Sequence, residues 1–174
     1  MADRVANLLA AAALLVEDAV QRRLERELPR TASAPAAIVT IAHRPRLSID
    51  HLREALGLTH SGAVRLVDRL AQDGLVRRSK SGGRAVGLTL TRRGRYMLER
   101  LERARLDATT DLLDPLGESE RRQLDRLLSR LLAARTSGEH DLHRICRLCS
   151  FAACVSDRRR CPVADAAAAP TPRA

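Results

Sequence analysis

The chain is almost without aromatic residues. It has no tryptophan, and Tyr96 and Phe151 are the only other aromatics in 174 residues, so the core must be built from aliphatic side chains. It has a single lysine, Lys80, among 31 basic residues, and no cysteine before Cys146. Arginine contacts phosphates and guanine edges with a rigid two-pronged group, which suits an anionic partner for a chain of net charge +10. The length suits one domain, or one domain with an appendage.

Long hydrophobic runs are also missing. The apolar run near the amino terminus, residues 8–16, is too short to cross a membrane, and charge resumes at Glu17 and Asp18. No basic cluster precedes this run, which argues against a signal peptide. We therefore predict a cytoplasmic protein without membrane contact.

Two closely spaced helices are predicted between residues 49 and 72. The first covers residues 49–56 and ends at Gly57, a residue that can leave a helix through a left-handed conformation. Thr59 and Ser61 are then available to cap the second helix. That helix has an apolar stripe at three- and four-residue spacing, formed by Ala63, Val64, Val67 and Leu70. This arrangement is typical of a helix-turn-helix.

A β-hairpin is predicted directly after the second helix. The period changes from helical to alternating in residues 75–78 and again in residues 86–90, and the glycine-rich residues 79–84 lie between them. The fold class is therefore mostly α with a small β-hairpin wing: a winged helix-turn-helix plus a helical dimerisation region. In this order, the second helix can enter a major groove while the hairpin reaches along the DNA backbone.

Acidic residues are absent between Gly74 and Leu98. The same stretch contains seven basic residues: Arg77, Arg78, Lys80, Arg84, Arg92, Arg93 and Arg95. A solvated basic surface is the alternative interpretation. If the patch neutralises phosphates, counterions are released and DNA binding must weaken steeply with salt.

A family resemblance rests on these residues. The run LGLTHSGAVRLVDRLAQDGLVRR, followed by GGRAVGLTLTRRG, resembles the DNA-binding core of the MarR family of bacterial transcription regulators, and the likeness extends over about residues 1–135. It implies a homodimer that binds double-stranded DNA at a pseudo-palindromic operator. It also implies a possible small-molecule effector and, as the family's commonest mode, repression.

The predicted DNA contacts fall into two groups. We expect Thr59, Ser61, Gly62 and Arg65 to approach base edges in the major groove, and His60 to contact a phosphate or a base edge. Phosphates are neutralised by Arg69, Arg77, Arg78 and Lys80, and Arg84 reaches the minor groove from the wing.

Helices on both sides of the winged unit carry leucine-rich stripes. In the first helix, the stripe consists of Val5, Leu8, Ala12, Leu15, Ala19, Leu24 and Leu28. Ser119 is a candidate cap for the last strong helix, and residues 36–42 are predicted as a short buried helix after a linker at residues 31–35. The stripes favour a dimer formed by the first and last helices, with an intramolecular three-helix bundle as the alternative. The predicted division of the chain is a dimerisation helix at 1–30, the winged unit at 31–93, dimerisation helices at 94–135, a cysteine-rich metal-binding segment at 136–165 and a disordered tail at 166–174.

All four cysteines lie within sixteen residues. Cys146, Cys149, Cys154 and Cys161 have the spacing C-x2-C-x4-C-x6-C-P. A disulfide pair is disfavoured under reducing conditions, whereas a reversible thiol switch is compatible with the neighbouring arginines. Metal binding by the four thiolates is favoured over both.

The identity of the metal stays open at this point. Zinc takes four thiolates, and the local arginines would offset the resulting negative charge. An iron–sulfur cluster needs the same ligands, and a proline after the last cysteine is similar to bacterial ferredoxin motifs. His143, three residues before Cys146, is a possible replacement ligand.

Enzymatic activity is not predicted. Some small-molecule methyltransferases use a similar winged helix for dimerisation, but no glycine-rich strand-turn-helix for a cofactor follows here. A winged-helix dimerisation module of an enzyme, or a protein scaffold without DNA binding, remains the alternative to a regulator.

Overall fold

The computed structural model describes residues 1–44, 46–80, 86–156 and 160–169. These ranges contain nine helices and one antiparallel pair of strands: α1 (Ala2–Glu27), α2 (Ser33–His43), α3 (Ile49–Leu56), α4 (His60–Gln72), β1 (Val76–Lys80), β2 (Val86–Leu90), α5 (Arg92–Asp111), α6 (Glu118–Ala134), α7 (Glu139–Ile145), α8 (Phe151–Cys154) and α9 (Pro162–Ala168). None of the helices in these ranges is long and apolar enough to span a membrane.

The helix-turn-helix consists of α3 and α4. Gly57 ends α3 with φ 64°, a left-handed conformation in which glycine has no steric penalty. Thr59 caps α4, and its hydroxyl accepts a hydrogen bond from the Gly62 amide at 3.1 Å. The prediction for the apolar stripe was wrong at one position: Leu66 is buried, while Val64 is only half-buried. Leu66 lies three residues after buried Ala63 and four before buried Leu70, so it shares their face.

The wing is a two-stranded hairpin, and a single residue from outside it also pairs with its second strand. Strand β1 pairs with β2 from Val76 opposite Leu90 to Lys80 opposite Val86. Leu47, just before α3, forms an isolated antiparallel bridge with Leu88. This bridge ties the helix-turn-helix to the wing, and a single paired residue leaves no alternating pattern from which it could be predicted.

Strand β2 and α5 meet at a tightly packed joint. Thr91 caps α5 by accepting the Gly94 amide at 3.0 Å, and it donates its own hydroxyl hydrogen to the Gly74 carbonyl at 2.6 Å. A Cβ at Gly94 would lie 2.0 Å from the Leu75 carbonyl oxygen, so only glycine fits. The joint fixes α5 against the turn that follows α4.

The core lies between the winged unit and the α1–α5 pair. Its largest fully buried side chains come from six elements and the α4–β1 turn: Leu24, Ile38, Val39, Ile41, Leu52, Val67, Leu70, Leu75, Leu88 and Leu101. Helix α2 is buried along most of its length. The core is aliphatic, as the scarcity of aromatics requires.

Three helix boundaries differ from prediction. Helix α9 continues to Ala168, so residues 166–168, predicted as part of a disordered tail, are helical. Helix α2 begins at Ser33, so residues 33–35 belong to the helix and not to a linker. Helix α6 begins at Glu118, and the Glu120 carboxylate accepts a hydrogen bond from the Gly117 amide at 2.8 Å. Ser119 is therefore inside the first turn and not the cap, because Glu120 already satisfies the start of the helix.

Candidate nucleic-acid interface

Helix α4 presents a polar face on the side opposite its buried stripe. Ser61, Arg65 and Arg69 are spaced four residues apart and are exposed, so they lie along one face of the helix. In the part of the chain that the structure describes, neither arginine has a hydrogen-bond or ion-pair partner. Two free guanidinium groups on an exposed recognition helix are suited to phosphates and guanine edges.

The start of α4 is held by its own polar contacts. The Thr59 hydroxyl is used for capping, and a Cβ at Gly62 would approach that hydroxyl oxygen to 3.0 Å. The His60 ring nitrogen Nδ1 lies 3.1 Å from an Asp50 carboxylate oxygen on α3. His60, predicted to contact DNA, is therefore positioned by Asp50 while remaining exposed.

Two wing arginines have partners within the chain. Arg78 forms an ion pair with Asp68 of α4 at 2.7 Å, and Arg77 donates a hydrogen bond to the Thr89 hydroxyl at 3.1 Å. The first contact links the wing to the recognition helix and partly neutralises an arginine that we predicted to bind phosphate. Arg84 and the side chain of Lys80 lie outside the described residues.

Sequence reasoning missed the two acids that organise this surface. Asp68 is the only acidic residue on α4, and Asp50 is in the first turn of α3. An acid on an otherwise basic face was the available signal for Asp68. Its partner, Arg78, lies ten residues later on a different element, so the ion pair could not be predicted from the sequence.

A family model places this architecture among known proteins. The MarR family model matches residues 28–85, which cover α2, the helix-turn-helix and the first strand of the wing. Over these residues the chain is similar to the MarR family. Proteins of this family are transcription regulators that bind DNA as dimers, and some bind small-molecule ligands.

Solved MarR structures show the same fold. The Mycobacterium tuberculosis MarR family protein Rv2887, in a complex with p-aminosalicylic acid, is 25% identical over 72% of this chain and 96% of that chain, with a TM-score of 0.60. The M. tuberculosis protein Rv1404 is 22% identical over 77% and 93%, with a TM-score of 0.65. MepR, a transcription regulator of the Staphylococcus aureus multidrug efflux pump MepA, is 18% identical over 74% and 96%, with a TM-score of 0.64. A search of the curated proteins gives no match.

The cysteine segment lies outside the residues that the MarR family model matches. Cys146 follows α7, Cys149 precedes α8, Cys154 ends α8 and Cys161 caps α9. All four are free thiols, of which Cys161 is buried and the others are half-buried. The sulfur atoms of Cys149 and Cys154 are 3.4 Å apart. The fold thus brings together two thiols that are separated by five residues.

The thiols influence one another electrostatically. A hydrogen bond to Cys146, followed by burial, raises the pKa of Cys149, and the same hydrogen bond lowers the pKa of Cys146. Burial raises the pKa of Cys154 to about 12. Of these three thiols, Cys146 is therefore the one that ionises most readily without a bound metal. Within the described ranges, no three His, Cys, Asp or Glu side chains are already arranged as ligands of one ion.

Helix α7 connects the cysteine segment to α2. Arg44, which follows α2, donates a hydrogen bond to Nε2 of His143 at 3.3 Å and lies 3.6 Å from the Glu139 carboxylate. Burial and then the Arg44 charge lower the pKa of His143, which keeps its ring neutral and able to accept this bond. His143, a possible metal ligand by sequence, is occupied by Arg44 instead. Arg44 was not singled out from the sequence, because its partners are almost a hundred residues away.

Several cavities adjoin the winged unit, and two of them also reach α1 or the cysteine segment. The helix-junction cavity, of about 690 Å³, lies where α1, α2 and α5 meet the segment after α7, and its lining includes Val16, Val20, Ala36, Leu56, Arg105 and Arg147. The cysteine-side cavity, of about 420 Å³, lies between α2 and the cysteine segment, and its lining includes Thr40, His43, Arg44, His143, Cys146 and Phe151. The helix-junction cavity thus lies between the predicted dimerisation helices and the winged unit.

Proposed function

We propose that this protein is a homodimeric, sequence-specific DNA-binding repressor. The observation that carries the proposal is the exposed face of α4, where Arg65 and Arg69 are without partners in the described part of a MarR fold. In this proposal α4 enters the major groove, and the wing lies along the backbone.

The predicted contacts other than His60 have the following roles in this arrangement. Ser61 and Arg65 read base edges, and Arg69 and Arg77 neutralise phosphates. Thr59 and Gly62 shape the start of the helix: their mutual packing keeps the helix end narrow enough to approach the bases. Arg78 reaches phosphate only by giving up Asp68, so its net contribution is smaller than that of Arg69. Lys80 and Arg84 are proposed phosphate and minor-groove contacts on sequence grounds alone.

Exposed apolar side chains on α1 and α6 supply the dimer interface. Leu15 of α1 and Leu127 of α6 are 55% and 54% exposed in the single chain. Further exposed apolar residues on these two helices are Val5, Leu8, Leu9, Leu14, Val16, Leu128 and Leu131. So many uncovered aliphatic side chains on two helices are typical of an interface between subunits. A two-fold dimer would place its two α4 helices about one DNA turn apart.

The helix-junction cavity is the proposed effector site. Apolar side chains of α1 and α2 line it together with Glu17, Arg105 and Arg147. The two arginines outnumber the one carboxylate, which suits a small aromatic or aliphatic acid. Rv2887 was crystallised with an acid of this kind, p-aminosalicylic acid. An acid bound here would touch both α1 of the dimer region and α2 of the winged unit. It regulates if it binds the DNA-competent and incompetent dimers with different affinities.

The proposal is tested by sedimentation and by DNA binding at increasing salt concentration. We expect the mass of two chains in solution and retention on double-stranded DNA that is lost at modest salt concentration, because counterion release drives the binding. The variants Arg65→Ala and Arg126→Ala remove one charge each, from α4 and from the exposed surface of α6. Only the first should weaken DNA binding. A dimer that does not bind DNA would instead support the alternative function, a dimerisation module or a protein scaffold.

A further inference from the structure

The cysteine segment is composed of helices too short to be stable alone. Helices α7 and α9 have seven residues each and α8 has four, whereas an isolated helix needs roughly 12–15 residues to form in water. The segment also buries little apolar surface: Val163 is buried, Leu148 is partly buried and Phe151 is 54% exposed. Such a segment needs a cross-link or a metal to hold its form.

The sulfur positions indicate which kind of centre the segment holds. We propose that Cys146, Cys149, Cys154 and Cys161 form a mononuclear, tetrahedral thiolate site for a divalent thiophilic ion, zinc. The 3.4 Å between the sulfurs of Cys149 and Cys154 is close to the tetrahedral edge of about 3.8 Å that follows from Zn–S bonds of about 2.3 Å. No three ligands are already arranged for one ion among the described residues, so binding would require the cysteine side chains to rotate toward a common point.

A four-iron cluster fits these positions less well. In a four-iron cluster each cysteine binds a different iron, so no two cysteine sulfurs are near neighbours. Here the sulfurs of Cys149 and Cys154 are near neighbours at 3.4 Å. A two-iron cluster also has cysteine sulfurs in close pairs, and the metal analysis below distinguishes it from a single ion.

Charge and packing are compatible with the site. Four thiolates around a divalent ion have a net charge of −2, and the positive charge of Arg105 on α5 acts on three of the thiols. Cys161 caps α9, which packs against α6 and α7, and α7 is joined to α2 through Arg44. The ion would therefore fasten the carboxyl-terminal segment to both the dimer region and the winged unit.

The first test is metal analysis of the full chain purified without oxygen. We expect a colourless protein with about one zinc per chain and neither iron nor sulfide. Replacing zinc by Co²⁺ should give the intense visible bands of tetrahedral cobalt thiolate. A brown protein with iron and sulfide, or a chain that takes up neither metal, would overturn the proposal.

Variants separate the thiolate ligands from the histidines. Cys149→Ser should lose zinc, whereas His143→Gln should retain it; equal zinc content in both would contradict the ligand assignment. Because Cys149→Ser could loosen the segment, a second measurement uses the unaltered chain. Chelation should open it to trypsin at Arg144 and Arg147 while the winged core stays intact, and unchanged resistance after metal removal would refute the fastening role. Neither readout uses DNA, so failed DNA binding would leave this result intact.

Discussion

Replacement of Arg69 by glutamine tests the proposed phosphate contact quantitatively. Arg69 is exposed on α4, four residues after Arg65, and has no partner among the described residues. Glutamine keeps the helix propensity and removes only the charge. If each subunit uses Arg69 on one phosphate, the variant dimer loses two phosphate contacts.

The size of the effect follows from counterion release. Each lost contact reduces the slope of log K against log salt by about 0.9, so two contacts reduce it by about 1.8. Between about 50 and 200 mM salt, a fourfold change, the affinity difference between the parent protein and Arg69→Gln should shrink by about 12-fold.

The assay is fluorescence anisotropy of a labelled duplex across this salt range. Arg126→Gln is the matched control, because it removes the same charge from an exposed position on α6. We expect the control to keep the parent slope. A slope for Arg69→Gln equal to that of the parent protein would refute the phosphate contact. An equal reduction of the slope in both variants would also refute it, because the effect would then come from net charge alone.

Three further predictions concern the joint, the wing and pH. Gly94→Ala would place Cβ 2.0 Å from a backbone oxygen, and Gly138→Ala would meet nothing within 4 Å. Thermal unfolding at equal protomer concentration should show that only Gly94→Ala lowers the free energy of unfolding, by about 3 kcal/mol or more. Equal melting temperatures for the two variants would contradict the packing argument. Asp68→Asn frees Arg78 and removes an acid from the DNA-facing side, so titration of duplex should show tighter binding with a salt slope steeper by up to about 0.9 per subunit; weaker binding would count against the assignment. Burial lowers the pKa of His43 below 6.5, so the stability contributed by its neutral ring is complete above pH 6.5 and is lost as the pH falls below it. Urea unfolding of His43→Gln should therefore decline less in acid, and an identical decline would show that other groups dominate.

The recognition unit could be predicted from sequence because its signals are local. Gly57 and Thr59 mark the end of one helix and the start of the next, and both have the predicted roles. The hairpin could be predicted because the hydrophobic pattern changes from helical to alternating on both sides of a glycine-rich turn. The error at Leu66 and Val64 arose because both are apolar and adjacent, so periodicity alone could not decide which one faces the core.

The rest depends on contacts between distant elements. The Asp68–Arg78 ion pair and the Leu47–Leu88 bridge join residues on different elements, and no pattern within either element encodes them. The cysteine spacing did predict a cluster of thiols. It could not predict that Arg44, which follows α2, connects to this segment. This contact relates the cysteines to the DNA-binding unit.

The most direct test of the central claim is selection of bound duplexes from a random pool by the purified full chain. We expect enrichment of a pseudo-palindrome whose two half-sites lie about one helical turn apart, because each α4 of a two-fold dimer reads one half-site. Arg65→Ala should relax the preference at a single base position within each half-site. Recovery of no common sequence, with retention that depends on salt alone, would contradict a sequence-specific regulator.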